Sequence, residues 1–256
     1  SVRHVAKLAC ISLSAEEVLR AMDGAGVARA VLVPPSWVGD DNTDCLAAAR
    51  KYPDRFAVMG RFDPKAPDGE RQVARWLEQA GELGIRLTFH LLLWQGWLTD
   101  GSLDWLWAAA ERAGVPMMIF VPRQAGVIDP IAARHPRLRL IIDHLALPVD
   151  QKDDAAFRDL DQTLALARHP NVAAKVSALP CYSSEPYQFR GLHKHIRRVY
   201  DAFGPRRMLW GTDLSRLPCP YPDAVRLFTE ALDFLSSEDR EWIMGRATAE
   251  RVGWKI

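Results

Sequence analysis

The chain has 256 residues, 48% hydrophobic and 25% charged, and its 33 Lys and Arg nearly balance 32 Asp and Glu for a formal charge of +1. That composition excludes disordered, collagen-like and coiled-coil architectures and leaves no basic footprint for nucleic acid or an anionic membrane surface. The apolar runs, such as 116–121 and 138–142, fall far short of the roughly 18 residues that a membrane span needs.

Residues 1–7 lack the basic start, apolar run and small-residue cleavage site of a signal peptide, and without an initiator methionine further residues are expected before Ser1. His4 lies in this terminus and is expected to be structural. The cysteines Cys10, Cys45, Cys181 and Cys219 are widely spaced with no CxxC pair. They read as reduced thiols of a cytoplasmic protein, not as a zinc ribbon or redox motif.

In chain order, Ser14 with Glu17 three residues on is a capping box that opens a helix over 14–24. Short apolar strands follow at 30–33, 56–60, 85–89, 116–121, 138–142, 172–176 and 207–210. Between and after them, 3.6-residue spacing predicts helices over 41–51, 69–83, 103–113, 124–134, 154–168, 191–203 and 222–234. Gly26, Gly84, Gly114, His135-Pro136, His169-Pro170 and Gly204-Pro205 punctuate the units as helix stops. Strands that are apolar throughout, alternating with helices, predict a parallel sheet covered on both faces.

This is α/β, and a single domain over 1–256 fits the roughly 250 residues of a (β/α)8 TIM barrel. Seven strands are visible, and a helix ahead of the first implies a strand before it, N-terminal to Ser14 and missing or incomplete. An open doubly wound sheet is the alternative, but no Gly-x-Gly-x-x-Gly follows any strand.

Barrel chemistry belongs at the C-terminal strand ends. Arg61, Arg86, His90, Arg123, Asp143, His144, Lys175, Ser177, Asp213 and Arg216 stand there or just beyond. Asp143, His144 and Asp213 are the strongest, because an apolar strand gives no local reason for charge at its end. His144 is a ligand or base, or a hydrogen-bonded structural imidazole; Asp213 is functional, or caps its own turn. The arginines are either solvated or a clamp for a substrate carboxylate, and His90 points either into a site or to solvent. His193 and His195 share a helix, where i and i+2 point about 200° apart, so they are not expected to share a ligand. His135 and His169 sit in helix stops and are expected to be structural. The cluster Trp94, Trp97, Trp105 and Trp107 reads as core or lid packing, with Trp94 able to line a pocket.

The stretches 26–33, 52–56, 140–145, 174–177 and 209–213, in that order, resemble the amidohydrolase-related family of TIM-barrel hydrolases, lactonases and decarboxylases. The resemblance runs from about Ser14 to the C-terminus. It implies that His144 matches the fifth-strand histidine, which ligates metal or polarises substrate, and that Asp213 matches the eighth-strand aspartate, which binds metal and acts as general base. Lys175 and Ser177 fall in the lactonase-like Val-Lys-Leu-Ser run, and Arg216 is placed as a carboxylate clamp.

Two departures count against a full metal site. No His-x-His precedes Ser14, and Phe120 stands where metal-dependent relatives carry histidine. His144 and Asp213 alone would hold a divalent ion, zinc before others, weakly or not at all. The resemblance thus implies a hydrolase opening a carboxylated or sugar-derived lactone, with Lys175, Ser177 and Arg216 in the substrate site; Arg61, Arg86, His90 and Arg123 are expected there from their strand-end positions. A metal-dependent decarboxylase and a catalytically silent ligand-binding barrel are the alternatives. The expected partner is a small-molecule substrate, with no nucleic acid or membrane and with scope for a homo-oligomer.

Overall fold

The strands marked out by apolar runs form one sheet in the computed structural model, which describes residues 13–90 and 92–255. They run parallel in chain order: β1 (Ala30–Leu32), β2 (Phe56–Arg61), β3 (Glu82–Thr88), β4 (Met117–Phe120), β5 (Leu140–Ile142), β6 (Val172–Ser177) and β7 (Met208–Gly211). Each pairs with the next, from Ala30 opposite Phe56 to Ser177 opposite Gly211. The result is a (β/α)8-type barrel that is one strand short among the described residues. The expected first strand, with His4 and Cys10, lies outside them.

Period-two alternation sorts the strand side chains. Ile85, Met117, Ile119, Leu140, Ile142 and Val172 pack outward in one large cluster with the helices. Their neighbours Met59, Met118, Ile141, Ala173 and Leu209 form a separate inner cluster, which Ala247 and Val252 of the last helix, Ala247–Val252, close from below. Two residues further along each of these strands come Arg61, Phe120, Asp143, Lys175 and Gly211, the next inward positions. A polar layer therefore rests on an apolar plug.

The Ser14 capping box forms as read, with Ser14 Oγ accepting from Glu17 N at 3.2 Å and Glu17 Oε2 accepting from Ser14 N at 2.8 Å. Several helices are shorter than their apolar periodicity. The expected helix at 69–83 stops at Gly69–Ala74 with a 3-10 turn at Trp76–Glu78, and β3 begins at Glu82, after Gly81 turns the chain at φ 95°. That at 154–168 divides into Asp153–Ala156, Leu160–Ala165 and the 3-10 turn Leu166–Arg168. That at 222–234 is helical at Tyr221–Arg226 and widens to a π turn at Leu227–Ala231. Buried residues continue across the breaks in the last two, at Leu166 and at Leu227 and Phe228, where the backbone bonding changes. No helix among the described residues is long and apolar enough to cross a membrane.

Candidate active site

The polar layer is built around Asp143, which is 1% exposed at the end of β5. Arg86 from β3 donates to its Oδ2 from Nη2 at 2.8 Å and from Nε at 3.3 Å, and Lys175 from β6 puts Nζ 2.9 Å from Oδ1. Burial alone would raise the Asp143 carboxyl, but His144, Lys175 and Arg86 hold it far below the usual carboxylate range. Thr88 accepts from Arg86, and from Arg61 Nη1 at 3.2 Å. Arg61 is further fixed by donating from Nε to the Gly39 carbonyl at 2.6 Å. Lys175 has room because β7 offers Gly211, where a Cβ would sit 3.3 Å from the lysine Cε and 3.2 Å from the Ser177 Cβ.

His144 follows directly in a left-handed backbone, φ 50°, and is 6% exposed. Its Nδ1 meets Ser177 Oγ at 2.7 Å, and its Nε2 faces Asp143 Oδ2 at 3.4 Å and Asp213 Oδ2 at 3.6 Å. Burial pulls its pKa down to about 4, so the ring is neutral at neutral pH. Two carboxylates before Nε2 favour the hydrogen there, leaving Nδ1 to accept from Ser177. Phe120 meets the ring edge-on, centroids 5.5 Å apart, and its own face carries the Arg86 guanidinium at 5.5 Å.

Asp213 follows β7, also left-handed at φ 53°, and accepts from Arg216 Nη1 at 3.2 Å. Non-glycine residues in this region carry strain that a fold retains where the position matters. Asp143 and Asp213 thus open at one mouth. Asp213 and His144 are in direct reach, closer than the spacing of one bridging water.

The remaining expected residues divide. Arg61 and Arg86 are buried in the barrel, so a solvated role does not fit them. Lys175 joins the layer, but Ser177 is 0% exposed and supports His144 instead of facing a substrate. His90 is exposed at the rim, edge-on to Trp94 at 5.4 Å, and burial together with Arg86 and Arg61 holds its ring below the usual imidazole range. Arg123 turns outward to Asp150 at 3.0 Å, away from Asp143 and Asp213. His193 and His195 part as expected: His195 stacks on Phe157 and bonds Asp154, while His193 bonds the Gln188 carbonyl. His135 pairs with Glu111 and His169 with Asp129. The sequence reading missed Thr88. The Arg86-x-Thr88 alternation on one strand would have pointed to it.

Counted along the described strands, His144 follows the fifth and Asp213 the seventh. A barrel that begins one strand earlier makes these the sixth and eighth.

The described residues do not fit a divalent metal. No three His, Cys, Asp or Glu side chains among them converge as a metal site needs. Both oxygens of Asp143 already face cations, and Asp213 is bonded by Arg216. Three cationic side chains, Arg86, Lys175 and Arg216, pair with the two carboxylates.

A cradle of charge at the C-terminal mouth of a parallel barrel defines a TIM-barrel enzyme. The chain belongs to the amidohydrolase family, whose model matches residues 9–252, and it is a hydrolase. It is 30% identical over 203 residues to an L-fucono-1,5-lactonase of Burkholderia ambifaria, covering 77% of this chain and 69% of that one. A Burkholderia multivorans L-fucono-1,5-lactonase is 28% identical over 214 residues, 75% of this chain and 70% of its own. Among solved structures, a Burkholderia multivorans amidohydrolase, crystallised with HEPES and in another form with zinc, superimposes with a TM-score of 0.81 at 21% identity, covering 94% of this chain and 88% of that one. The fold is shared more widely: a 5-carboxyvanillate decarboxylase of Sphingomonas paucimobilis superimposes with a TM-score of 0.69 at 18% identity, covering 93% and 82%.

Proposed function

We propose that the chain opens a lactone, either carboxylated or derived from a sugar acid, by attack of water activated on Asp213. One observation carries this reading: the Asp213 carboxylate meets the His144 ring at 3.6 Å beside cations anchored on Asp143. The curated lactonase relatives support it.

Asp213 takes a proton from water, and the hydroxide adds to the lactone carbonyl carbon. The carbonyl π pair moves to oxygen, where His144 Nε2–H and the Lys175 ammonium hold the oxyanion. The intermediate collapses, the ring C–O bond breaks, and the departing oxygen takes the proton back from Asp213, giving a hydroxy acid. No step needs a group that the described residues do not supply. Arg216, partly exposed beside Asp213, stands at the mouth for the substrate's own carboxylate.

A panel of aldonolactones and carboxylated lactones, followed by acid release with a pH indicator, tests the proposal. Ring opening should be seen, and Asp213→Asn should lower kcat by roughly 10²–10⁴-fold, as loss of a general base does, with an unchanged circular dichroism spectrum. Carbon dioxide release from an aromatic acid, with no lactone opened, would replace this reading by decarboxylation.

A further inference from the structure

Arg61, at the end of β2, is 7% exposed, and no carboxylate among the described residues comes closer to it than Asp40, whose Oδ1 lies 4.0 Å from Nε and whose side chain is 46% exposed. A guanidinium this deep is costly unless an anion meets it. Asp40 meets it weakly: burial and the neighbouring Arg86 hold the Arg61 pKa below its usual value against a smaller pull from Asp40, and burial raises the Asp40 carboxyl despite Arg61. The arginine is nevertheless held still. Its backbone N–H donates to Asn42 Oδ1 at 2.7 Å, its carbonyl accepts from Asn42 Nδ2 at 2.9 Å, and its Nε donates to the Gly39 carbonyl at 2.6 Å.

Thr88 adds a second donor. A threonine hydroxyl has two acceptor lone pairs and one hydrogen to give. Arg61 Nη1, at 3.2 Å, and Arg86 Nη1 both donate to Thr88 Oγ1, so both lone pairs are taken and the hydroxyl hydrogen must point elsewhere. It meets no acceptor among the described residues, and neither does Arg61 Nη2. The corner between β2 and β3 thus offers hydrogens and no oxygen to take them. Both side chains keep 7% of their surface, whereas Ser177 keeps none. Counted with the expected first strand, β3 and β7 are the fourth and eighth of eight and face each other across the mouth, so an anion in this corner lies opposite Asp213.

We propose that Arg61 and Thr88 form the seat of a ligand carboxylate, with Arg61 Nη2 and the Thr88 hydroxyl donating to its oxygens, so the site takes acids in preference to neutral sugar lactones. Of the two lactone classes, this selects the carboxylated one; it rests on the lactonase reading for its kinetics and not for its binding. The carboxylate is the close counter-ion that Arg61 lacks, and a guanidinium already fixed in place costs little ordering when the ligand arrives.

Calorimetry with tricarballylate, a non-reacting tricarboxylate, and with its neutral triamide tests the seat. The parent should bind the acid about tenfold or more tightly than the amide. Arg61→Gln should weaken the Kd for tricarballylate about tenfold or more, the effect of losing a charge-assisted hydrogen bond. Should that variant not fold, Arg61→Lys decides: it keeps the charge, loses Nη2, and should still weaken the Kd about threefold or more. Thr88→Val should weaken it about tenfold, and Thr88→Ser, which restores the hydroxyl, should recover most of the loss. In turnover, kcat/KM of Arg61→Gln should fall about tenfold further for a carboxylated lactone than for a neutral one. No tricarballylate binding by the parent, equal Kd values for acid and amide, an unchanged Kd in the Arg61 variants, Thr88→Ser no better than Thr88→Val, or equal losses on the two lactones would each overturn the proposal. If the parent opens no lactone but binds tricarballylate in an Arg61-dependent way, the lactonase reading falls and this one stands.

Discussion

Replacing Asp143 with asparagine keeps the shape of the side chain and removes the one negative charge on which two buried cations rest. Arg86 and Lys175 approach its oxygens at 2.8 and 2.9 Å, and the carboxylate is 1% exposed, so solvent cannot take its place. Removing one partner of a buried pair costs about 3–5 kcal/mol, because the partner left behind is charged and desolvated. At about 2–4 °C per kcal/mol for a chain of this size, Asp143→Asn should lower Tm by roughly 6–20 °C in scanning calorimetry. Removing the lysine charge as well, in Asp143→Asn/Lys175→Met, should recover much of the loss, because fewer uncompensated cations remain. The direction with pH is also fixed. The folded carboxyl lies below its unfolded value, so the stability it confers is present above the unfolded pKa and lost as pH falls toward the folded one. A Tm for Asp143→Asn within about 2 °C of the parent would refute the pairing, since even the low end of the estimated cost would exceed that shift.

Two further outcomes are expected. Glu82, 6% exposed at the start of β3 with Oε2 unpartnered, has its carboxyl raised by burial from 4.5 to about 7, outweighing a Gly60 backbone and a Trp76 side-chain hydrogen bond. Its folded form binds the proton more tightly, so stability is greatest below pH 4.5 and falls by about 3 kcal/mol as pH rises through 7. Urea melts at pH 5 and pH 8 should show this fall in the parent and not in Glu82→Gln; an equal fall in both would remove Glu82 as its source. After dialysis against a chelator, elemental analysis should find zinc well below one ion per chain, because the described donors are taken by cations; stoichiometric zinc would show a site completed by other residues.

Most of the scaffold was legible because its signals are local. The seven apolar runs became seven strands, and the Ser14–Glu17 box formed its two hydrogen bonds. The strand ends also bring Asp143, His144, Lys175 and Asp213 together in one cluster. What sequence could not separate was facing. Arg61 and Arg123 both follow strands, yet one turns in to Thr88 and the other out to Asp150. Ser177 read as a substrate contact because its position at the end of β6 is right, and only the packed barrel shows it closed off behind His144. Glu82 carried no signal, because a lone buried carboxyl is defined by the partners it lacks. The C-terminal helix that plugs the barrel also went unread, although Ala247 and Val252 complete the inner cluster.

The charge layer sets the order in which the site must work. Phe120, at the end of β4, packs Arg86 on its face and His144 at its edge. Asp143 is then committed to pairing Arg86 and Lys175 inside the barrel. Asp213 is the carboxylate nearer the mouth, tied only by the half-buried Arg216 at 3.2 Å and by His144 at 3.6 Å, both long contacts. Of the two carboxylates, therefore, only Asp213 can exchange a partner for water without uncovering buried cations. In the proposed mechanism the division of labour, Asp143 as counter-ion and Asp213 as base, matches their depth in the barrel.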